Sequence, residues 1–188
     1  MLLCGTDLLA GAGGMVQPPP SVSRAAFEVQ VLATIRELDS VEGIAGALAI
    51  DNANDVRVRE FGRRLLLDRS AIGPLWMGFR AAHRLPEAPA TPGAAIPELR
   101  RYQDRIAEAR VAALTTLPTL KGGSFDREFL RLVESADKTG LAALAWARRQ
   151  LPDSDLTPVI DDVIPFYRQH YTIAARLALE QAMRQGGR

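Results

Sequence analysis

Apolar residues recur every three or four positions along most of this chain, and the recurrence breaks in only a few places. The first stripe is Phe27, Val31, Ile35, Leu38, Ala45 and Leu48. That spacing lines one face of an α-helix and predicts a helix over 23–51, with Ser23 as its N-cap. "DNAND" ends it, because Asn and Asp favour turns and caps. A second stripe, Phe61, Leu65, Ile72, Trp76 and Phe79, predicts a helix over 55–84. Pro74 lies inside it, where a proline costs roughly 3 kcal/mol, so a kink or break is expected there. "LPEAPATPGAAIP" reads as a loop, with four prolines from Pro86 to Pro97.

A third helix is predicted over 97–117, with Leu99, Tyr102, Ile106, Ala109, Ala113 and Leu117 on one face. After "PTLKGGS", Ser124 is expected to cap a helix running to Gln150, with Asp126 in its first turn. The turn "LPDSDLTP" leads to a last helix, capped by Thr157 and opened by Pro158, which continues to about Met183. Pro165 is expected to bend it. No segment alternates with a period of two. The fold class expected over 23–184 is therefore all-α: an antiparallel four-helix bundle with an additional, shorter connecting helix.

Composition narrows the function classes. The 188 residues suit one domain, and 47 % are apolar, enough for a sizeable core. A formal net charge of +1 offers no basic field for nucleic acid. The single cysteine, Cys4, rules out an intrachain disulfide and any multi-cysteine metal motif. No apolar run approaches the ~20 residues of a membrane span. Residues 1–22, "MLLCGTDLLAGAGGMVQPPPSV", form a leader or linker segment. Two readings stand: the remnant of a secretory signal, or a disordered extension, since the positive n-region is missing and Asp7 interrupts the apolar part. "AGAGG" lacks the Lys-Ser/Thr ending and flanking strand of a phosphate loop.

The chemistry lies in polar residues on apolar stripes. Glu42 sits between Leu38 and Ala45, Arg69 between Leu65 and Ile72, and Asp137 between Val133 and Leu141. His170 lines up with Val163, Tyr167, Ala174 and Leu177. Each of four helices thus offers one ionisable group to its core face, and buried charges must be paired or bind a metal. Each also has a plainer reading, at the stripe's edge with its charge in water or, for His170, as a core histidine with one hydrogen bond. Asp68 is a further core-edge carboxylate, and His83 reads as an exposed residue at a helix C-terminus. Two arrangements of the four are open. In one, Glu42 and Asp137 surround Arg69, and His170 donates to a carboxylate. In the other, Glu42, Asp137 and His170 ligate a metal, which the fixed charge of Arg69 would oppose. No Glu-x-x-His pair of a di-iron bundle is present.

Three segments resemble one known family. "VEGIAGALAIDNANDVRVREFGRRLLLDRS" resembles its first helix pair, "GGSFDREFL" its Phe-Asp-Arg motif at Phe125, Asp126 and Arg127, and "VIPFYRQHYTIA" its Pro-to-His segment at Pro165 and His170. The chain is thereby similar, over roughly 24–180, to the bacterial domain of unknown function 4142 family. The resemblance implies a ferritin-like bundle, mostly exported. Where such proteins usually carry Asp-His, this chain has Asp68-Arg69. Where they carry a histidine after Phe-Asp-Arg, it has Asp137. These departures suggest a histidine-rich centre exchanged for an Arg69–Asp137 ion pair.

The expected function is then a non-catalytic bundle of the periplasm or cell envelope, linked to stress, with no cofactor and no catalytic residue. No nucleophile with a base stands out. The alternatives are a metal-binding bundle through Glu42, Asp137 and His170, and a helical module that binds a protein partner or a second copy. A cytoplasmic location is the alternative to export.

Overall fold

The computed structural model describes residues 23–87 and 96–186. The expectations for the leader, for Cys4 and for the middle of the Pro-rich loop lie outside these residues. Among the described residues the regular structure is helical throughout: α1 Arg24–Asn52, α2 Val56–Ala82, α3 Pro97–Thr115, α4 Gly122–Gln150 and α5 Leu156–Gly186. A 3₁₀ turn, Leu117–Thr119, joins α3 to α4. None of the described helices is long and apolar enough to cross a membrane.

The helix ends show how local chemistry sets the boundaries. Ser23 Oγ accepts from the Ala26 N–H and opens α1. Asp55 does the same for α2, accepting from the Arg57 N–H. Pro97 stands at the start of α3, where its missing N–H costs nothing. Two expected caps are displaced. α4 begins at Gly122, whose φ of 59° favours glycine, and Ser124 instead donates back to the Lys121 carbonyl. α5 begins at Leu156, whose N–H is accepted by Ser154 Oγ, while Thr157 Oγ1 donates to the Leu151 carbonyl. Neither Pro74 nor Pro165 breaks its helix.

Cross-helix contacts give the directions. Glu42 meets His170 and Glu28 meets Ser154, so α1 and α5 run the same way. Asp126, at the start of α4, bonds to Asn54 and Asp55 just past the end of α1, so α4 runs opposite. α2 returns antiparallel to α1 after a three-residue link. The four long helices close a ring of contacts: α1 on α2, α2 on α5, α5 on α4 and α4 on α1. The shorter α3 lies outside that ring, against α1 and α4. Gln103 fastens it by donating to the Gln30 carbonyl at 3.0 Å and to Thr34 Oγ1 at 3.1 Å.

The core is the inside of the ring. Val31, Ile35, Leu38, Leu65, Ile72, Phe125, Phe129, Val133, Val163 and Tyr167 are buried, each contributing about 1.5–3 kcal/mol of apolar burial. α1 and α2 touch backbone to backbone: a Cβ on Gly62 would stand 2.6 Å from Ala49 Cβ and 2.9 Å from the Gly46 carbonyl oxygen. That close approach brings side chains on the two helices' inner faces to one level at mid-bundle.

Candidate metal centre

Four helices each bring one ionisable side chain to this level. Glu42 of α1, Asp137 of α4 and His170 of α5 are fully buried, and Asp68 of α2 is 5 % exposed. His170 Nδ1 lies 2.6 Å from Glu42 Oε1, and its Nε2 lies 3.0 Å from Asp68 Oδ2. Asp68 Oδ2 in turn accepts from Arg64 Nε at 2.5 Å, one helical turn earlier on α2. Phe61 and Tyr167 stand edge-on to the imidazole, their ring centres 6.2 and 6.4 Å away. The polar groups are thus walled by aromatic rings.

Asp137 completes the group in a different way. One ligand atom from each of Glu42, Asp137 and His170 lies within 4.8 Å of the other two. Yet both oxygens of Asp137, and Oε2 of Glu42, have no hydrogen-bond partner. Burial, and then the nearby Glu42 charge and side chain, hold the Asp137 carboxyl well above its ordinary range. Burial opposes a charged His170, but bonding to Glu42 and Asp68 outweighs it, so the imidazolium is favoured overall. Burial first, and then the charges of Glu42, Asp39 and Asp137, keep the Tyr167 phenol protonated far above its usual range. Its hydroxyl is 3.5 Å from the Ile35 carbonyl, a long contact.

The structure corrects the expected four-residue cluster at one position. Glu42, Asp137 and His170 come together, but Arg69 does not join them. Arg69 Nε donates to Asp39 Oδ2 at 3.0 Å, and the arginine side chain is 44 % exposed. The proposed Arg69–Asp137 ion pair is not formed. The fourth member of the centre is Asp68, one residue earlier and so about 100° around the helix. Asp39 is a buried carboxylate beside the centre that sequence reasoning missed; its position one turn before Glu42 was the available signal. His83 closes α2 with its N–H on the Phe79 carbonyl, and its ring stacks on Phe79 with centres 4.2 Å apart.

The donor set suits a divalent ion. Two carboxylates would balance two positive charges, and a nitrogen with two oxygens is a mixed set that first-row metals accept. Asp68 accepting the Nε2 proton would leave the Nδ1 lone pair directed to the metal, the carboxylate–histidine arrangement that orients ligating imidazoles. Asp68 is balanced by Arg64 outside the ligand set. The three unpartnered oxygens are the further sign of fit, because a buried carboxylate without a partner is costly.

Fold and site together define an all-helical protein built round a buried carboxylate–histidine centre. The chain belongs to the family described as domain of unknown function (DUF4142), whose model matches residues 16–177. No curated protein and no solved structure matches it. The family description assigns no activity, so the chemistry rests on the residues.

Proposed function

We propose that this protein is a ferritin-like helical bundle that holds one divalent first-row metal ion through Glu42, Asp137 and His170, without itself being an enzyme. The observation that carries the reading is the set of three buried carboxylate oxygens, Glu42 Oε2 and Asp137 Oδ1 and Oδ2, left without partners beside His170. The charge that opposed a metal in the sequence, Arg69, is engaged with Asp39 instead. Glu42, Asp137 and His170 are shut away from solvent, so the ion would tie α1, α4 and α5 together rather than meet a large substrate.

The test is metal content by mass spectrometry after incubation with manganese, iron or zinc, beside His170→Ala and Asp137→Asn. One ion per chain, lost in both variants, is the expected result. Metal-free wild-type protein in every sample would overturn the reading.

A second reading is favoured by the 2.6 Å contact of His170 Nδ1 with Glu42. A doubly protonated His170 would clamp α1 and α2 as an imidazolium, with Asp137 neutral, and the cluster would be structural. The same experiment separates the two. As part of the proposal, the protein is exported to the cell envelope and serves under stress. Its support is the family resemblance and the apolar opening of the sequence, and the processed or unprocessed N-terminus of the native protein tests the export.

A further inference from the structure

Asp39 and Arg69 lie beside the centre without belonging to it. Asp39 is one helical turn before Glu42, 4 % exposed, with Oδ2 on Arg69 and Oδ1 without a partner. Burial raises its carboxyl pKa first; Arg69 pulls it down and the Glu42 charge pushes it up, so the two carboxylates sense each other. The Tyr167 phenol feels Glu42, Asp39, Asp137 and Arg69 together. The pair and the centre therefore lie about the same ring.

Arg69 reaches Asp39 across Gly43. The three atoms nearest to where a Cβ on Gly43 would stand all belong to the Arg69 guanidinium group, with Nη1 at 2.0 Å. Only a glycine leaves this slot open. On its outer side the pair faces a groove of about 470 Å³ lined by Arg36, Asp39, Ser40, Arg69 and Trp76 among others. A buried carboxylate with one free oxygen thus lines the groove one helical turn from Glu42, and a half-exposed arginine holds its other oxygen.

We propose that Asp39 is a transit ligand for the divalent cation on its way to Glu42, Asp137 and His170, and that Arg69 is the displaceable plug over it. The proposal rests on the metal-binding reading above. While Arg69 holds Asp39, its positive charge repels an approaching cation. The arginine side chain is 44 % exposed while Asp39 is buried, so the guanidinium can turn into solvent only as a cation takes its place on the carboxylate, which keeps the buried charge compensated throughout. From Asp39 the next carboxylate is Glu42, at i+3 on the same helix face, about 5–6 Å away between Cβ atoms. The cation then gives up Asp39 to the deeper three-ligand set, and Arg69 returns across Gly43.

Stopped-flow uptake and release of Co²⁺, read by its visible absorption, tests this on the full chain. Arg69→Ala removes the plug. Gly43→Ala expels it by a different route, since a flexible guanidinium can move aside for a methyl group. Both variants are expected to take up and release Co²⁺ about tenfold faster, with Kd changing much less than either rate. Adding Asp39→Asn to Arg69→Ala is expected to slow uptake again. Wild-type rates in Arg69→Ala and Gly43→Ala, with Co²⁺ still bound, would overturn the plug and leave the metal centre standing. A changed Kd with an unchanged uptake rate would overturn it too, making Arg69 an electrostatic neighbour of the centre. Wild-type protein that takes up no Co²⁺ would remove the centre and the transit site together.

Discussion

His170 and Asp68 face each other across the α5–α2 contact, with Nε2 3.0 Å from Oδ2. The carboxylate fixes which nitrogen of the imidazole looks away from the centre and which looks into it. Asp68 should therefore act on metal affinity without touching the metal. Asp68→Asn keeps the shape and loses the charge, and is expected to weaken binding about 10–100-fold. Isothermal titration with Zn²⁺ or Mn²⁺ measures this; an unchanged Kd would place the metal elsewhere.

His170 links two buried carboxylates. Its removal should be felt in stability as well as in binding, because Glu42 loses its imidazole partner and Asp68 keeps only Arg64. His170→Ala is expected to cost about 3–5 kcal/mol in urea unfolding of the metal-free protein. A loss under 1 kcal/mol, of the size of an exposed pair, would show that water takes the place of the imidazole.

From about pH 5 to about pH 8, where the lowered carboxyls of Asp55, Glu128 and Asp161 stay ionised, the stability of the metal-free protein should fall as pH rises. Asp137 and Asp39 are held above the ordinary aspartate value of 3.8, chiefly by burial. His170 is held above 6.5, where burial works against the charge and Glu42 and Asp68 overcome it. In all three the folded state binds its proton more tightly than the unfolded chain. Above pH 3.8 the unfolded chain releases carboxyl protons that the folded one keeps, so folding is progressively disfavoured. The His170 contribution is complete below pH 6.5 and is lost as pH rises through the folded-state value. The groups facing Asp137 and His170 are Glu42, Asp68 with Arg64, and the Tyr167 phenol. Urea midpoints should be higher at about pH 5 than at about pH 8, and Asp137→Asn should flatten the slope. A midpoint that climbs over this range would contradict the protonation pattern.

Asp126, expected in the first turn of α4, lies just beyond it because the helix begins at Gly122, and it has a different task. Its two oxygens accept the backbone N–H groups of Asn54 and Asp55 at 3.0 and 2.9 Å, pinning the α1–α2 link to α4. Asp126→Ala is expected to destabilise by about 1–3 kcal/mol, as two donors lose a charged acceptor. Asp126→Asn, which keeps an acceptor, should cost less. Thermal unfolding of the two variants ranks them, and equal losses would mean that the packing of the side chain matters more than its charge.

Gly62 tests the helix crossing that sets the level of the centre. A Cβ there meets Ala49 Cβ and the Gly46 carbonyl, neither of which can swing aside. Gly62→Ala should gain in helix propensity and still lose about 1–3 kcal/mol overall through overpacking. A stabilised variant would show that α1 and α2 can separate freely.

How much of this was legible beforehand follows from the local character of each signal. The stripe Val163, Tyr167, Ala174 and Leu177 placed His170 in the core, and all five positions are buried. Glu42 and Asp137 were found the same way. On α2 helical periodicity allows two answers. Asp68 is i+3 and Arg69 i+4 from Leu65, and either can continue a helical stripe, so periodicity could not choose between an acid and a base. The choice needs the partner helices: α5 stands where Asp68 points, while α1, with a gap at Gly43, stands where Arg69 points. The caps Ser124 and Thr157 went astray for a related reason. A hydroxyl that can cap a helix can equally donate to a carbonyl behind it, and which it does depends on where the preceding loop has been brought.

By itself the sequence determined five helices and their approximate ends, and it put Glu42, Asp137 and His170 forward as core candidates, because these depend on residues within a few turns of one another. The tertiary structure decided which of those side chains meet. It put Asp68 rather than Arg69 on His170, left three oxygens of Glu42 and Asp137 without partners, and gave Arg69 to Asp39. Those relations join residues some 30 to 130 positions apart, and they hang on the rotation of each helix about its own axis. That rotation is set by close contacts such as Gly46 on Gly62, which only the packed bundle defines.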